Sequence, residues 1–104
     1  MAGKPSLDPT IHAPARFRLC AVLRHVDAVG YGSLLKVLEI SGPQLSKAIR
    51  SLGEVGYVTV TKGPSDGRDD LRHTTTVRLT ELGRSAFDRH VAALNEIIAQ
   101  RQVL

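Results

Sequence analysis

The sequence contains a single cysteine, Cys20, and no apolar run approaching the length of a membrane-spanning helix. A single cysteine cannot form a disulfide within the chain and is typical of a protein in a reducing compartment. Spanning a bilayer takes roughly 20 consecutive apolar residues. The first ten residues, MAGKPSLDPT, lack the apolar segment of a secretory signal. These absences predict a cytoplasmic protein without a membrane partner.

Patterns that support catalysis or metal binding are also missing. Serine, histidine and aspartate all occur, but no nucleophile elbow or phosphate-binding loop accompanies them. None of the four histidines lies at ligand spacing from another histidine or from Cys20. We therefore predict no enzymatic activity, no cofactor and no metal. The residues identify no small-molecule effector. The histidines are His12, His25, His73 and His90.

The positive charge of the chain is concentrated near its middle. The 104 residues form one predicted domain, 1–104, with a formal net charge of +4. Between residues 31 and 62 four basic residues stand against two acidic ones, whereas the two signs balance between residues 80 and 104. A basic region of this kind favours a polyanionic partner on one side of the molecule.

Residues 33–57, SLLKVLEISGPQLSKAIRSLGEVGY, predict two short helices joined by a tight turn. The first helix covers about 33–39. The second begins near Pro43, and its apolar residues recur at i, i+3, i+4, i+7 and i+10. The residues expected to face the core are Leu34, Leu35 and Leu38 in the first helix and Leu45, Ala48, Ile49, Leu52 and Val55 in the second.

The two ends of the second helix carry different signals. At its start, Ser41 and Gln44 form a capping-box pattern, whereas Gly42 before Pro43 is an alternative N-cap. At its end, Gly56 is expected to adopt the left-handed conformation that stops many helices.

The opposite face of this second helix is polar and contains no acidic residue. A short helix, a turn and a second helix with such a face are typical of a helix-turn-helix DNA reader. Gln44 and Ser46 are the better candidates for base contacts, because recognition helices enter the major groove by their N-terminal end. Lys47 and Arg50 are expected to reach phosphates or guanine edges. The full predicted set on this helix is Gln44, Ser46, Lys47, Arg50 and Ser51.

The segments on either side complete a compact α-α-α-β-β-α order. Residues 1–7 are predicted to be a flexible arm, Asp8-Pro9 to cap a single turn, and residues 14–26 to form a helix. Residues 57–62 and 74–79 alternate like strands and predict a β-hairpin with a long tip. The expected buried face of the 14–26 helix is Leu19, Val22, Leu23 and Val26, and the expected DNA-backbone contacts of the hairpin are Lys62, Arg68 and Arg72.

The last helix is predicted to mediate dimerisation. Thr80 is a suitable N-cap, and the helix runs from Glu81 to about Gln102 within a dimerisation segment, 80–102. Apolar residues repeat along it at coiled-coil spacing, as a narrow seam that a second copy of the chain can cover. Cys20 is interpreted as inert packing, and His90 is expected at the dimer seam. The seam residues are Phe87, Val91, Leu94 and Ile98.

Taken together, these segments resemble the MarR-like group of short winged-helix DNA-binding transcriptional regulators. The resemblance implies a mostly α fold with a small β-hairpin, and a homodimer that binds a palindromic double-stranded DNA operator. It also implies that the second helix lies in the major groove and the hairpin near the minor groove. The alternative is a winged helix that acts as a protein-protein interaction module. The matching segments are 14–19, 44–47, 56–58 and 79–87.

Overall fold

The computed structural model describes residues 6–64 and 73–101, which form a helical domain with one small antiparallel sheet. The elements are α1 (Pro9–His12), α2 (Pro14–Arg24), β1 (Val29–Gly30), α3 (Tyr31–Leu38), α4 (Gly42–Glu54), β2 (Val58–Pro64), β3 (His73–Leu79) and α5 (Glu81–Arg101). Within this part of the chain, none of the helices combines the length and the hydropathy needed to traverse a bilayer.

Helix α1 is the single turn predicted at Asp8-Pro9. The Asp8 carboxylate accepts hydrogen bonds from the N–H groups of Thr10 at 2.9 Å and Ile11 at 3.3 Å. Pro9 occupies the first turn, where its missing N–H costs nothing. Ile11 is fully buried, so this one turn anchors the N-terminal segment to the core.

Helix α2 is shorter than the sequence predicts. It ends at Arg24 with His25 as its C-cap, whereas the apolar pattern suggested an end near Val26. Val26 therefore lies beyond the helix and is 39% exposed, and its assignment to the buried face is wrong. The fully buried residues of α2 are Leu19, Cys20 and Leu23.

Helices α3 and α4 form the predicted pair. The start of α4 is decided by Ser41, whose hydroxyl accepts the N–H of Gln44 at 3.2 Å, while the Gln44 side chain accepts the N–H of Ser41 at 3.0 Å. This capping box makes Ser41 the N-cap, so the alternative of Gly42 is wrong. Helix α3 begins earlier than predicted, at Tyr31, directly after β1.

The end of α4 follows the prediction at Gly56 but not at Val55. Gly56 has a φ of 82°, the left-handed conformation expected there. Val55 is the C-cap and is 42% exposed, because the helical face that it was assigned to ends at Glu54.

The sheet has three strands in the order β1-β3-β2, all antiparallel. The predicted hairpin is present, with Val58 opposite Leu79 at its base and Pro64 opposite His73 at its outer end. Strand β1 was not predicted, since two residues are too few to show an alternating pattern. It pairs Val29 with Val77 and so joins the start of α3 to the hairpin.

One apolar core unites these elements. It is built from fully or nearly fully buried side chains of every helix and of strands β2 and β3. The members are Ile11, Leu19, Cys20, Leu23, Leu34, Leu38, Leu45, Ala48, Leu52, Val58, Val77, Leu79, Ala86 and Phe87.

The first turn of α5 packs closely against the strand that follows α4. The Thr80 hydroxyl accepts the N–H of Gly83 at 2.9 Å, as predicted for an N-cap, and donates to the Gly56 carbonyl at 2.7 Å. A Cβ at Gly83 would lie 2.2 Å from the Tyr57 carbonyl oxygen. Only glycine fits at this crossing, which sets the direction in which α5 leaves the core.

Candidate nucleic-acid interface

The outward face of α4 presents the cationic residues that were predicted to contact DNA. Lys47 and Arg50 are exposed, whereas Leu45, Ala48 and Leu52 on the other face are buried. Among the residues described, the single salt bridge joins Arg24 and Asp88, so Lys47 and Arg50 have no acidic partner there. Within the described part of the chain, both cations are exposed and form no ion pair.

Two of the predicted base-contacting residues are engaged within the chain. The Oε1 atom of Gln44 accepts the backbone N–H of Ser41, which leaves its amide NH₂ group to donate outward. Ser46 is exposed, and its hydroxyl lies 2.8 Å from the hydroxyl of Tyr31. Ser51 is half-buried. Tyr31 was not predicted as a site residue, because a lone tyrosine between two glycines shows no pattern.

A groove separates α4 from the hairpin strands. It has a volume of about 440 Å³ and opens to solvent. Arg50 lines it from the helix and Lys62 from the strand, and the lining residues within 6–64 and 73–101 include no carboxylate. Val60 follows buried Val58 by two residues on β2, is 39% exposed and lies in this groove. The lining residues are Tyr31, Ser46, Ile49, Arg50, Val60, Lys62 and Thr75.

Three predicted contacts remain, all on the hairpin. Lys62 is exposed on β2 and joins Arg50 at the groove. Arg68 and Arg72 lie outside the residues that the structure describes.

The predicted dimer seam on α5 falls into two parts. Phe87 is 8% exposed and belongs to the core of its own chain, and Val91 packs against that core. Leu94 is half-buried and Ile98 is 56% exposed, and neither is a member of the core. Only the second half of the seam is therefore open to another chain.

The first half of α5 is fastened to α2 by a two-point contact. The Nε and Nη2 atoms of Arg24 donate to the two carboxylate oxygens of Asp88 at 3.0 and 3.1 Å. These hydrogen bonds hold the pKa of the Asp88 carboxyl below its usual value. Arg84 also donates to the Arg24 carbonyl oxygen at 3.3 Å. This part of α5 is fixed within the protomer.

His90 lies in a polar cluster inside the chain, and its placement at the dimer seam is wrong. It is 1% exposed, and its Nδ1 atom accepts the backbone N–H of Asp8 at 3.0 Å. The Tyr57 hydroxyl donates to the Asp8 carboxylate at 2.6 Å. This Asp8–Tyr57–His90 cluster connects the N-terminal segment, the exit of α4 and helix α5. Sequence could not reveal it, since its members lie 33 to 82 positions apart.

Proton affinities in this cluster reflect its hydrogen bonds. Burial lowers the pKa of His90, and the nearby His12 acts in the same direction. Burial acts to raise the pKa of Asp8, but the hydrogen bond from Tyr57 and those from two backbone N–H groups outweigh it and lower that pKa below 3.8. The hydrogen bond to Asp8 raises the pKa of the Tyr57 hydroxyl. At neutral pH the cluster therefore holds a carboxylate, a phenol and a neutral imidazole.

Cys20 lies in the core near this cluster. It is fully buried, and burial raises the pKa of its thiol to about 12, with a further contribution from Asp8. Since a thiolate is the reactive form of cysteine, the position agrees with packing and gives no support to redox chemistry.

The fold and the groove together define a winged helix-turn-helix DNA-binding protein, in which α4 is the recognition helix and the β2–β3 hairpin is the wing. A family model described as "Winged helix DNA-binding domain" matches residues 15–98. The chain therefore belongs to the winged helix DNA-binding domain family. No curated protein sequence matches the chain significantly.

Solved structures of transcriptional regulators share this fold. A transcriptional regulator homologue from Pyrococcus horikoshii OT3 aligns with a TM-score of 0.80 and 24% identity, over 89% of this chain and 88% of that one. YusO from Bacillus subtilis aligns with a TM-score of 0.71 and 16% identity, over 89% and 62%. A probable transcriptional regulator from Pseudomonas aeruginosa aligns with a TM-score of 0.68 and 20% identity, over 85% and 62%. These findings confirm the predicted winged-helix fold.

Proposed function

We propose that this protein is a sequence-specific regulator of transcription that binds a palindromic double-stranded DNA operator as a homodimer in the cytoplasm. The observation that carries the proposal is the groove between the recognition helix and the wing, with the cations Arg50 and Lys62 on its two sides. Counterion release by such cations provides most of the nonspecific affinity of DNA-binding proteins.

The recognition helix supplies the sequence-reading part of the proposal. Its N-terminal turn carries Gln44 and Ser46, whose exposed side chains are of the types that contact base edges. Lys47 directly follows Ser46, Arg50 lies about one turn beyond Ser46, and both suit phosphates or guanine. Ser51, which is half-buried, is the weakest contact of the predicted set. Arg68 and Arg72 remain predicted wing contacts.

The second half of α5 supplies the dimer part of the proposal. Beyond Ala93, which is 4% exposed, the helix leaves the core, and it presents Leu94 and Ile98 on the seam. A second copy of the same helix can cover these side chains by coiled-coil packing. Twofold symmetry would then place two recognition helices about 34–36 Å apart, one turn of B-DNA.

Binding to duplex DNA is tested by replacing Arg50. Arg50→Ala is expected to weaken binding strongly in a fluorescence-anisotropy titration, because one groove cation is lost, and to change the free energy of unfolding by less than about 0.5 kcal/mol. The matched control is Arg89→Ala, which removes the same charge from the exposed side of α5 and should leave binding intact. Equal affinities for wild type and Arg50→Ala would remove Arg50 from the interface.

The salt dependence of the binding affinity distinguishes the proposed DNA-binding regulator from a protein-protein interaction module. A DNA complex with several phosphate contacts should lose orders of magnitude in affinity between roughly 50 and 200 mM salt. The affinity of a complex held by an apolar protein interface should change far less over the same range of salt. A search for bound duplexes in a random pool, followed by this titration, would reject the proposal if no sequence were enriched.

Dimerisation is tested by charge placed on the seam. Leu94→Glu should shift the protein to monomers on sizing chromatography, because a carboxylate would be buried in the contact. Asn95→Glu places the same charge at the adjacent, exposed position of α5 and should leave the dimer in place. A dimer that persists in Leu94→Glu would show that another surface joins the subunits.

A further inference from the structure

Tyr31 makes two hydrogen bonds with a single hydroxyl proton. Its hydroxyl donates to the Gly42 carbonyl oxygen at 2.9 Å and lies 2.8 Å from the Ser46 hydroxyl. A carbonyl oxygen can only accept, so the Tyr31 proton is directed to Gly42. The hydrogen bond between Tyr31 and Ser46 must then use the proton of Ser46.

This assignment leaves Ser46 with only lone pairs to offer outward. A serine hydroxyl normally donates and accepts, so it contacts any of the four base pairs. Ser46 is exposed in the first turn and a half of the recognition helix, where base edges are read. In the major groove, the exocyclic amines N6 of adenine and N4 of cytosine donate, whereas the base atoms of guanine and thymine that hydrogen-bond there only accept.

We infer that Tyr31 is a specificity-determining residue, which holds the Ser46 hydroxyl as an acceptor and so favours adenine or cytosine at the base that Ser46 meets. The inference rests on the proposed function in DNA reading and names which bases that site selects. Tyr31 itself is a positioning residue, since it acts through Ser46.

The backbone around Tyr31 keeps this arrangement in place. Tyr31 begins α3 immediately after Gly30, which pairs with Thr76 of the wing sheet. Its ring is half-buried beside the groove, and its hydroxyl fills the space next to Gly42, where an added Cβ would come within 3.5 Å. The hydroxyl therefore has little freedom to turn away from the recognition helix.

The inference is tested by measuring the affinity of each variant for the selected operator and for duplexes substituted at every position. Wild type should discriminate by about five- to a hundredfold against guanine or thymine at one position, the range of a good base contact. Tyr31→Phe should reduce this discrimination to about twofold at that position alone, because the freed Ser46 proton can then donate. Ser46→Ala should remove the preference, and adding Tyr31→Phe to Ser46→Ala should have no further effect.

Tyr57→Phe is the matched control, because it removes a tyrosine hydroxyl from the cluster with Asp8 and not from the interface. It should keep the base preference of wild type. A second measurement needs no variant: when the preferred base is replaced by its analogue without the exocyclic amine, wild type should lose the same five- to hundredfold in affinity. The measurement with the base analogue still tests the inference if Tyr31→Phe does not fold.

Two results would overturn the inference while leaving DNA reading intact. One is an unchanged preference at every position in Tyr31→Phe, and the other is full affinity of wild type for the analogue without the amine. If the proposed function itself were wrong, the wild-type protein would select no DNA sequence at all, so the two failures are distinguishable.

Discussion

Two polar clusters in this protein are each built on a tyrosine hydroxyl, and they serve different ends. In the first, Tyr57 donates to Asp8, whose backbone N–H donates to the Nδ1 atom of buried His90, so these hydrogen bonds are all made inside the chain. In the second, Tyr31 donates to Gly42, and Ser46 beside it faces an open groove. The chemistry of the hydroxyls is the same, and the surroundings differ.

The difference shows how a structural cluster and a binding cluster can be told apart. Around Tyr57 the Asp8 carboxylate accepts three hydrogen bonds from groups of its own chain, so its oxygens are engaged internally. Around Tyr31 the charged residues that the structure describes in the groove are the cations Arg50 and Lys62. Changes to the first cluster should therefore reduce stability, and changes to the second should reduce binding.

The largest effect on stability is expected from Gly83→Ala, at the crossing that supports the Tyr57 cluster. The new Cβ would lie 2.2 Å from the Tyr57 carbonyl oxygen and 2.9 Å from a Leu79 methyl carbon, so the backbone must move. We expect a loss of about 3 kcal/mol or more in the free energy of unfolding, measured by denaturant titration. Gly32→Ala is the control, because its Cβ meets open space. Equal stability of the two variants would contradict the close crossing.

A smaller loss is expected from Asp8→Ala. It removes an N-cap and the hydrogen bond from Tyr57, which together are worth about 2–3 kcal/mol. Tyr57→Phe removes only the second contact and should cost less in the same denaturant titration. Were Asp8→Ala as stable as wild type, the cluster would not anchor the N-terminal segment.

Ser41→Ala acts on the DNA-binding side and should cost about 1 kcal/mol, the usual value of a lost N-cap. Gln44 would also lose its partner in the capping box, so the start of the recognition helix should loosen. Thermal unfolding measures the stability, and Ser33→Ala, an exposed serine in α3, is the control. If Ser41→Ala lowered the free energy of unfolding as much as Asp8→Ala, the DNA-binding side and the Tyr57 cluster would contribute equally to stability.

The smallest effect on stability is expected from a fall in pH, because protonation of His90 removes no side chain. The pKa of His90 is lowered in the folded protein, so the unfolded chain binds a proton more readily. The contribution of His90 is complete above its unfolded pKa of 6.5 and is lost as the pH falls from there toward the folded pKa. The groups that face it are Asp8, with a lowered pKa of its own, and His12.

Protonation of His90 would also place a proton on Nδ1, which now accepts from Asp8. The free energy of unfolding measured between pH 7.5 and 5 should therefore decline in wild type. His90→Gln retains an acceptor without titrating, and its decline should be shallower. Parallel curves for the two proteins would remove His90 from the acid response.

Sequence alone was sufficient for the order of the main helices and the hairpin, because each carries a local signal. The apolar spacing of α4, the positive φ of Gly56 and the Asp8 cap depend on neighbours a few residues apart. Local patterns failed at Val26 and Val55, which continue an apolar repeat past the point where the helix ends.

The candidate site was predicted only in part. Lys47 and Arg50 follow from the polar face of one helix, since a helix places residues three apart on the same side. Tyr31 and the pairing of β1 with β3 bring together segments more than ten residues apart, and no periodic pattern records such contacts. The same holds for His90, which the sequence placed at a subunit contact and the structure buries beside Asp8.

The sequence by itself determined which face of each helix is apolar, where the helices are capped, and that the recognition helix is basic outside, because these properties arise within about one helical turn. Only the tertiary structure decided that the Ser46 hydroxyl meets Tyr31, that Arg50 faces Lys62 across a groove, and which half of α5 leaves the core. Those outcomes depend on how separate elements pack, and the first turn of α5 against Tyr57 is one contact that sets their relative positions.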